Sequence, residues 1–411
     1  MKNILLNAYA VSPNWGSEPG MGWNWIINLA IYCKVFVITE GEWRKEIEKA
    51  IELLPQKNNI HFYYNPIPDK VRKMCWNQGD WRFYYYYRKW QKKTLKIAQE
   101  IIVENKIDVI HQLNMIGFRE PGYLWKIKNI PYVWGPIGGM GNIPVAYLMG
   151  TDWKQQLFCR LKNTISDLQV KYSPRVKKAL NRGITIAATK EVQDKIKKVY
   201  NKDIPLINET GCYPKELKKI IKKDNNDTFK ILWVGKFDFR KQFNLAVKSI
   251  SKLANKDQLE FNVIAPFSSE TQKMTIENLI KDYKIEKITK LWGKIPNLKV
   301  QEMMRESDIL FFTSISEGTP HVVLEALQNN LPVVCFDTCG QGDIVNSEIG
   351  IKIPLYYPEK SAKDFAKTIE FLKNNRDFLT VLKNGCYDSQ KELSWDSKAK
   401  QMSEIYSKFL K

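Results

Sequence analysis

The feature that most constrains this chain is a rhythm. Short apolar runs of strand length alternate with stretches of helix length almost from end to end. In the first half the strand-like runs are NILLNAYAV, KVFVIT, IHFYYN, IDVIHQLN, PYVWGP and GITIAAT. Between them lie helical stretches such as GWNWIINLAIY and RKWQKKTLKIAQEIIVEN. A polar interval near residues 201–228 holds the lysine-rich KELKKIIKKDNND. The rhythm then restarts near residue 229 with FKILWVG, EFNVIAP, ITKLWG, DILFFTS, LPVVCFD and GIKIP. Alternation of this kind is the mark of βαβ units, whose parallel sheets are covered on both faces by helices. The expectation is an α/β chain of two doubly wound domains facing across a cleft, with ligands at the carboxyl ends of the strands. The boundaries read as 1–205, 206–390, and a C-terminal amphipathic helix at 391–411 that packs back on the N-terminal domain. A length of 411 residues suits two domains.

Nothing in the sequence approaches the roughly 18–20 uninterrupted apolar residues of a membrane-spanning helix. The N-terminal run is too short for a signal peptide and reads as a first buried strand. Seven cysteines, an odd number and scattered, suit buried reduced thiols, and with three histidines no zinc spacing emerges. A cytoplasmic protein is the expectation. The formal net charge of +20 is unevenly placed: residues 1–205 hold 32 Lys and Arg against 17 Asp and Glu. Such a field attracts nucleic acid, acidic lipid headgroups or a phosphorylated substrate, although a lysine-rich solvated surface would look the same.

The segment richest in chemistry is DILFFTSISEGTPHVVLEALQNNLPVV, read as strand, loop, helix and strand. His321 and Val322 fall at the start of the helix, where unpaired amides and the helix dipole favour a phosphate. Glu325, one or two turns in, can accept hydrogen bonds from vicinal hydroxyls such as those of a ribose. Glu317, still in the loop, faces whatever hangs from the phosphates. Alone, two glutamates at this spacing are equally at home as a loop acid and a surface helix residue. Upstream, FKILWVGKFDFRKQF ends a strand and presents Lys236, Arg240 and Lys241, cations well placed to neutralise a diphosphate. After the first strand, VSPNWGSEPGMGWNW gathers Gly16, Gly20 and Gly22 ahead of a helix. It matches neither the dinucleotide fingerprint nor a P-loop.

SPNWGSEPGMGWNW, IHQLNMIGFREPGYLW, IPYVWGPIGGMGNIP, INETG, VGKFDFRKQ and SEGTPHVVLEAL occur in the order found in family 4 glycosyltransferases. The chain resembles the bacterial subgroup with a GSEPGxGWNW opening and a GPIGG loop, and the resemblance covers nearly its whole length. It implies a GT-B fold of two Rossmann-like domains, with the acceptor in the first and a nucleotide-sugar in the second. It also implies a retaining, metal-independent hexosyltransferase with no cofactor, the UDP- or GDP-sugar being substrate. By the same resemblance Lys236 stands where the family has arginine, Lys241 is the phosphate-binding lysine, and Arg240 accompanies them. Glu317 holds donor-sugar hydroxyls, Glu325 binds the ribose, the backbone of His321 and Val322 contacts phosphate, and Ile295 lines the base pocket. Lys241 and Glu317 are the expected catalytic residues, and Gly20 the glycine nearest the diphosphate, with Gly16 its rival.

Two departures matter. Gln242 replaces the glycine usual after the lysine, which is tolerated if its φ is negative. Ile137 stands where many members carry a histidine, so no histidine transfers there. His111 matches another position, open to two readings: contact with acceptor or donor sugar, or a satisfied buried histidine. CWNQGDWRFYYYYRKWQKK mixes Trp76, Trp81, Tyr84 to Tyr87 and Trp90 with Arg82, Arg88 and Lys89, a blend suited to a membrane interface or, in part, to the core. The expected acceptor is a lipid-diphosphate-linked glycan at the anionic cytoplasmic face of the inner membrane, in surface-polysaccharide synthesis. Alternatives are a GT-B epimerase or phosphorylase and, more remotely, a basic nucleic-acid-binding protein, for which no motif is present.

Overall fold

The computed structural model describes residues 1–75, 82–113, 117–148, 151–215 and 227–408. Trp76, Trp81 and residues 216–226 of the lysine-rich interval lie outside the described residues.

Each of the twelve apolar runs forms a strand. The first six are β1 Lys2–Asn7, β2 Cys33–Thr39, β3 Ile60–Tyr64, β4 Val109–Gln112, β5 Tyr132–Ile137 and β6 Ile184–Ala187. The second six are β7 Phe229–Val234, β8 Leu259–Ile264, β9 Thr289–Gly293, β10 Ile309–Phe312, β11 Val333–Phe336 and β12 Gly350–Ile353. They make two sheets, ordered β3-β2-β1-β4-β5-β6 and β12-β11-β10-β7-β8-β9. All neighbours run parallel. Both orders are doubly wound and reverse between the first and fourth strand, β1/β4 and β7/β10. Side chains alternate between two buried layers, as a period of two requires. Ile4 and Leu6 join one apolar cluster and Leu5 the opposite one; Ile231 and Trp233 are likewise split from Leu232.

The two sheets repeat one device. Asp108, just before β4, takes the Asn3 amide on Oδ2 at 2.9 Å, and its own amide donates to the Asn3 carbonyl at 2.9 Å. Asp308, just before β10, does the same with Lys230, at 2.9 and 2.8 Å. Each aspartate therefore pins the register at its sheet's reversal point.

The chain divides into two compact units. One comprises Met1–Met140, Thr164–Thr210 and Trp395–Lys411, the other Gly141–Asn163 and Gly211–Ser394. Residues 141–163 thus differ from the sequence reading, which kept them in the first domain. The reason is packing: Tyr147 is buried, its ring 5.8 Å from that of Phe336, and its hydroxyl donates to Ser361 Oγ at 2.8 Å. In the first unit, the helix Trp395–Ser407 lies against the helix Ser17–Tyr32. The Trp25 and Trp395 rings meet edge to face at 5.8 Å, and Tyr32 donates to Asp396 at 2.6 Å.

Candidate functional site

Ligands of doubly wound sheets bind beyond the carboxyl ends of the strands, where the strand order reverses. In the second sheet that point lies between β7 and β10. The two segments singled out in the sequence leave those two adjacent strands.

The first leaves β7 at Gly235, whose amide donates to the Ile264 carbonyl at 3.1 Å. It then closes a single 3₁₀ turn, Phe239–Lys241, capped by Asp238, whose Oδ1 accepts the Arg240 and Lys241 amides at 2.9 and 3.1 Å. The turn gives Lys241 and Arg240 different directions. Lys241 points inward: its Nζ donates to Glu317 Oε1 at 2.7 Å and lies 4.8 Å from the Phe312 ring centroid. The two side chains are only 15% and 14% exposed. Arg240 points outward and pairs with its own cap, Asp238, at 3.2 Å. Lys236 is exposed and, among the described residues, enters no ion pair.

The second segment leaves β10 and is laced to that turn. Thr313 Oγ1 donates to the Lys241 carbonyl at 2.7 Å and accepts from Trp233 Nε1 at 3.0 Å. The Ile315 amide donates to the Arg240 carbonyl at 2.9 Å, and Ser314 Oγ lies 2.6 Å from Glu317 Oε1. Buried Gln341 donates to the Ser314 carbonyl at 3.0 Å. Gly340 abuts the Gly318 carbonyl so closely that an added Cβ would fall 1.9 Å from its oxygen. Lys241 and Glu317 thus come together through loop-to-loop hydrogen bonds.

The helix His321–Gln328 follows, entered from Pro320 with no side-chain cap. The amides of His321 and Val322 therefore have no partner within the helix, the usual state of a helix's first turn. The crowding around its ring holds His321 below the ordinary histidine range. Val322, Ile295 and Val234 are half-buried against one apolar cluster. Glu325 is on the helix itself and is half-buried. Burial pushes its carboxyl up, and the nearby Lys215 ammonium partly offsets that. Lys215 donates to Gln301 Oε1 at 3.1 Å and to Asn329 Oδ1 at 3.3 Å. Sequence reasoning missed Lys215, Asp238, Thr313, Ser314 and Gln341. Only Asp238, standing before FRK where a cap is needed, carried a local signal.

One expectation requires correction, and two open readings are narrowed. Gln242 has φ 50° and ψ 48°, a left-handed conformation, so the glycine it replaces was one that the backbone uses. Its side chain compensates by donating to the Phe239 carbonyl at 2.7 Å. Gln242→Gly is accordingly expected to leave stability level or raise it slightly. Gln242→Val, β-branched and without the bond, is expected to cost about 1–2 kcal/mol in urea unfolding.

His111 does not present a sugar contact. It is fully buried in β4, with Nε2 2.6 Å from the Gly135 carbonyl and Nδ1 2.6 Å from the Tyr406 hydroxyl. The carbonyl can only accept, so Nε2 carries the proton and Nδ1 accepts from Tyr406. Burial lowers the ring's pKa from 6.5 to about 4. Between those values the unfolded chain takes up a proton that the folded chain refuses. This contribution is complete above about pH 6.5 and is lost as pH falls towards 4, a span of order 3 kcal/mol. His111→Asn should flatten the fall in Tm between pH 7 and pH 4.5.

The aromatic stretch divides, and its core share can be named. Tyr87 and Trp90 are core residues on the helix Arg82–Glu104, each edge-on to Tyr9. Arg88 is held by Glu120 at 2.7 Å, leaving Tyr84 and Tyr85 exposed. Gly20, also in the first unit, lies in the opening turn of the helix Ser17–Tyr32, where a Cβ would strike the Trp15 carbonyl at 2.1 Å. Close packing accounts for that glycine, whereas Gly16 has open space around it.

Residues 214–388, less than half of the chain, match the family described as "Glycosyl transferases group 1". Solved structures align along nearly the whole length. A glycosyltransferase from Rickettsia africae aligns with 100% of this chain and 99% of its own at TM-score 0.66 and 16% identity. HepE of Anabaena, solved with UDP and glucose, aligns with 99% of this chain and 100% of its own at 0.62 and 12%. The fold is GT-B. Among curated proteins, the GT-B chain is 30% identical over 115 residues to the putative teichuronic acid biosynthesis glycosyltransferase TuaC of Bacillus subtilis, 28% of each chain. It is 22% identical over 188 residues to the GPI3 subunit of phosphatidylinositol N-acetylglucosaminyltransferase of Saccharomyces cerevisiae, 45% of this chain and 40% of that one. It thus spans well under half the length of these relatives. Every sequence-derived donor residue except Gly20 falls inside the matched segment.

Proposed function

We propose that this GT-B chain transfers a hexose from a nucleotide-sugar to a glycan acceptor with retention of configuration and without a metal ion. The observation that carries the reading is the Lys241–Glu317 pair, laced between the ends of β7 and β10 beside the open amides of His321 and Val322. In this reading Lys241 and Lys236 neutralise the departing nucleoside diphosphate, and the two amides share its charge. Glu317 accepts hydrogen bonds from sugar hydroxyls, Glu325 from the ribose, and Ile295 borders the base. The bond from the anomeric carbon to the phosphate oxygen breaks as the acceptor hydroxyl attacks the same face. The hydroxyl proton passes to the leaving phosphate oxygen.

The names of TuaC, in teichuronic acid biosynthesis, and of the GPI3 subunit of a phosphatidylinositol N-acetylglucosaminyltransferase support a lipid-linked glycan in surface-polysaccharide assembly. Among the described residues no helix is long and apolar enough to cross a membrane. Attachment is read as peripheral, at an anionic cytoplasmic membrane face. Thermal stabilisation by a panel of UDP- and GDP-sugars, followed by product analysis with the stabilising donor, tests the reading. A new glycosidic bond is the expected result. Epimerisation or phosphorolysis alone, or no stabilisation by any nucleotide-sugar, would overturn it.

A further inference from the structure

Two motifs of the first unit, GFREPGYLW after β4 and GPIGG at the end of β5, play no part in the donor site, and the fold brings them together. Gly117 forms a parallel bridge with Gly138, and the Phe118 amide donates to the Gly138 carbonyl at 3.3 Å. The junction therefore lies past the carboxyl ends of two adjacent strands, beside the β1/β4 reversal, where a doubly wound sheet receives its ligand. Its glycines leave bare backbone there. A Cβ on Gly117 would meet nothing within 4 Å. Gly139 is exposed with φ 76°, and a Cβ on it would find Arg119 Nη1 and Gly117 Cα, each at 3.9 Å.

Arg119 stands at the edge of this bare floor, fixed in place but without a counter-ion. Its guanidinium lies 4.6 Å from the ring centroid of buried Phe118, and its Nε donates to Gln169 Oε1 at 2.8 Å. Those contacts hold the plane and leave the two η nitrogens, the fork that grips an oxyanion through parallel hydrogen bonds. The side chain is half-buried, and burial pushes the guanidinium below its ordinary value. The acid next to it in sequence is engaged elsewhere: Glu120, 7% exposed, takes Arg88 at 2.7 Å and Arg175 at 2.8 Å. Among the described residues no carboxylate pairs with Arg119, so three arginines share one glutamate. A cation drawn out of water without a partner is unfavourable until an anion joins it.

We infer that Arg119, above the Gly117–Gly139 floor, binds an oxyanion of the acceptor, either a phosphoryl group or a sugar carboxylate. Gln169 sets the orientation of the fork, and the glycines let the anion approach the backbone closely. The word acceptor rests on the proposed transfer, in which the donor residues Lys241, Glu317 and His321 all belong to the second unit. The anion site itself does not depend on that reading.

The full chain carrying Lys241→Ala, which removes the expected donor-phosphate cation, is titrated calorimetrically with inorganic pyrophosphate and, separately, with glucuronate. Binding of at least one is expected, and the tighter of the two identifies the oxyanion. Adding Arg119→Gln should weaken it roughly 10- to 100-fold. Adding Gln169→Glu instead supplies the missing counter-ion at the Nε contact, and should weaken binding by a similar factor while melting stays level or rises. That variant keeps the test decisive if Arg119→Gln melts early, because a purely structural arginine has no binding to lose. With Lys241 restored, stabilisation by a nucleotide-sugar should be the same in both variants as in the wild type. No binding of either probe, or binding that both variants leave unchanged, would overturn the inference. So would loss of nucleotide-sugar stabilisation in both variants, which would put Arg119 on the donor. No stabilisation of the wild type by any nucleotide-sugar sinks the transferase reading instead, and the titrations still decide the anion site.

Discussion

Lys241→Ala is expected to lower turnover about 100- to 1,000-fold with the stabilising nucleotide-sugar, while Glu317→Ala falls less. The asymmetry follows from what each group does in the proposed transfer. Lys241 meets charge that grows as the sugar–phosphate bond breaks, so it is worth more in the transition state than in the ground state. Glu317 holds neutral hydroxyls and positions Lys241 through their 2.7 Å contact. Lys241→Arg keeps the charge but spreads it over a planar guanidinium, which does not reproduce the compact ammonium's contacts with Glu317 and the Phe312 ring. It should recover only part of the loss. Steady-state kinetics decide, and near-normal kcat in both alanine variants would remove this pair from the active site.

The second large effect concerns stability. Asp308 is fully buried, with Oδ1 2.9 Å from Lys383 Nζ and Oδ2 3.5 Å from an Arg376 nitrogen. Both cations are about 5% exposed or less. Asp308→Ala leaves two positive charges in the interior of the second unit and frees the Lys230 amide, a loss of about 3–5 kcal/mol. Asp308→Asn, which can still accept that amide, should lose less. Urea unfolding measures both, and a change under about 1 kcal/mol for the alanine variant would show the cluster to be solvated.

The inner strands could be read directly because a parallel strand covered on both faces must be apolar throughout, and the edge strands β3 and β9 kept enough apolar residues to be read with them. Lys241 at a strand end and Glu317 before a helix were singled out by local marks, their roles came from the resemblance alone, and their pairing was not foreseen. What stayed hidden depended on partners distant in sequence or on backbone angle. Nothing near His111 announces Tyr406, 295 residues on, and without it the ring was open to two readings. Nothing near Glu325 announces Lys215. The left-handed turn at Gln242 contradicts the residue's own preference and is held by a bond to Phe239.

The path of the chain has a practical consequence. The polypeptide passes between its two compact units four times, and its last helix completes the first of them. Cutting near residue 205 would therefore yield a fragment lacking Tyr406, with the His111 Nδ1 stranded in an apolar interior. Expressing the halves as independent pieces should give an aggregating N-terminal product, rescued by grafting residues 395–408 back onto it through a flexible linker. The helix Trp395–Ser407 is a keystone for strands that precede it by hundreds of residues, so the first unit cannot finish folding until that helix has been made.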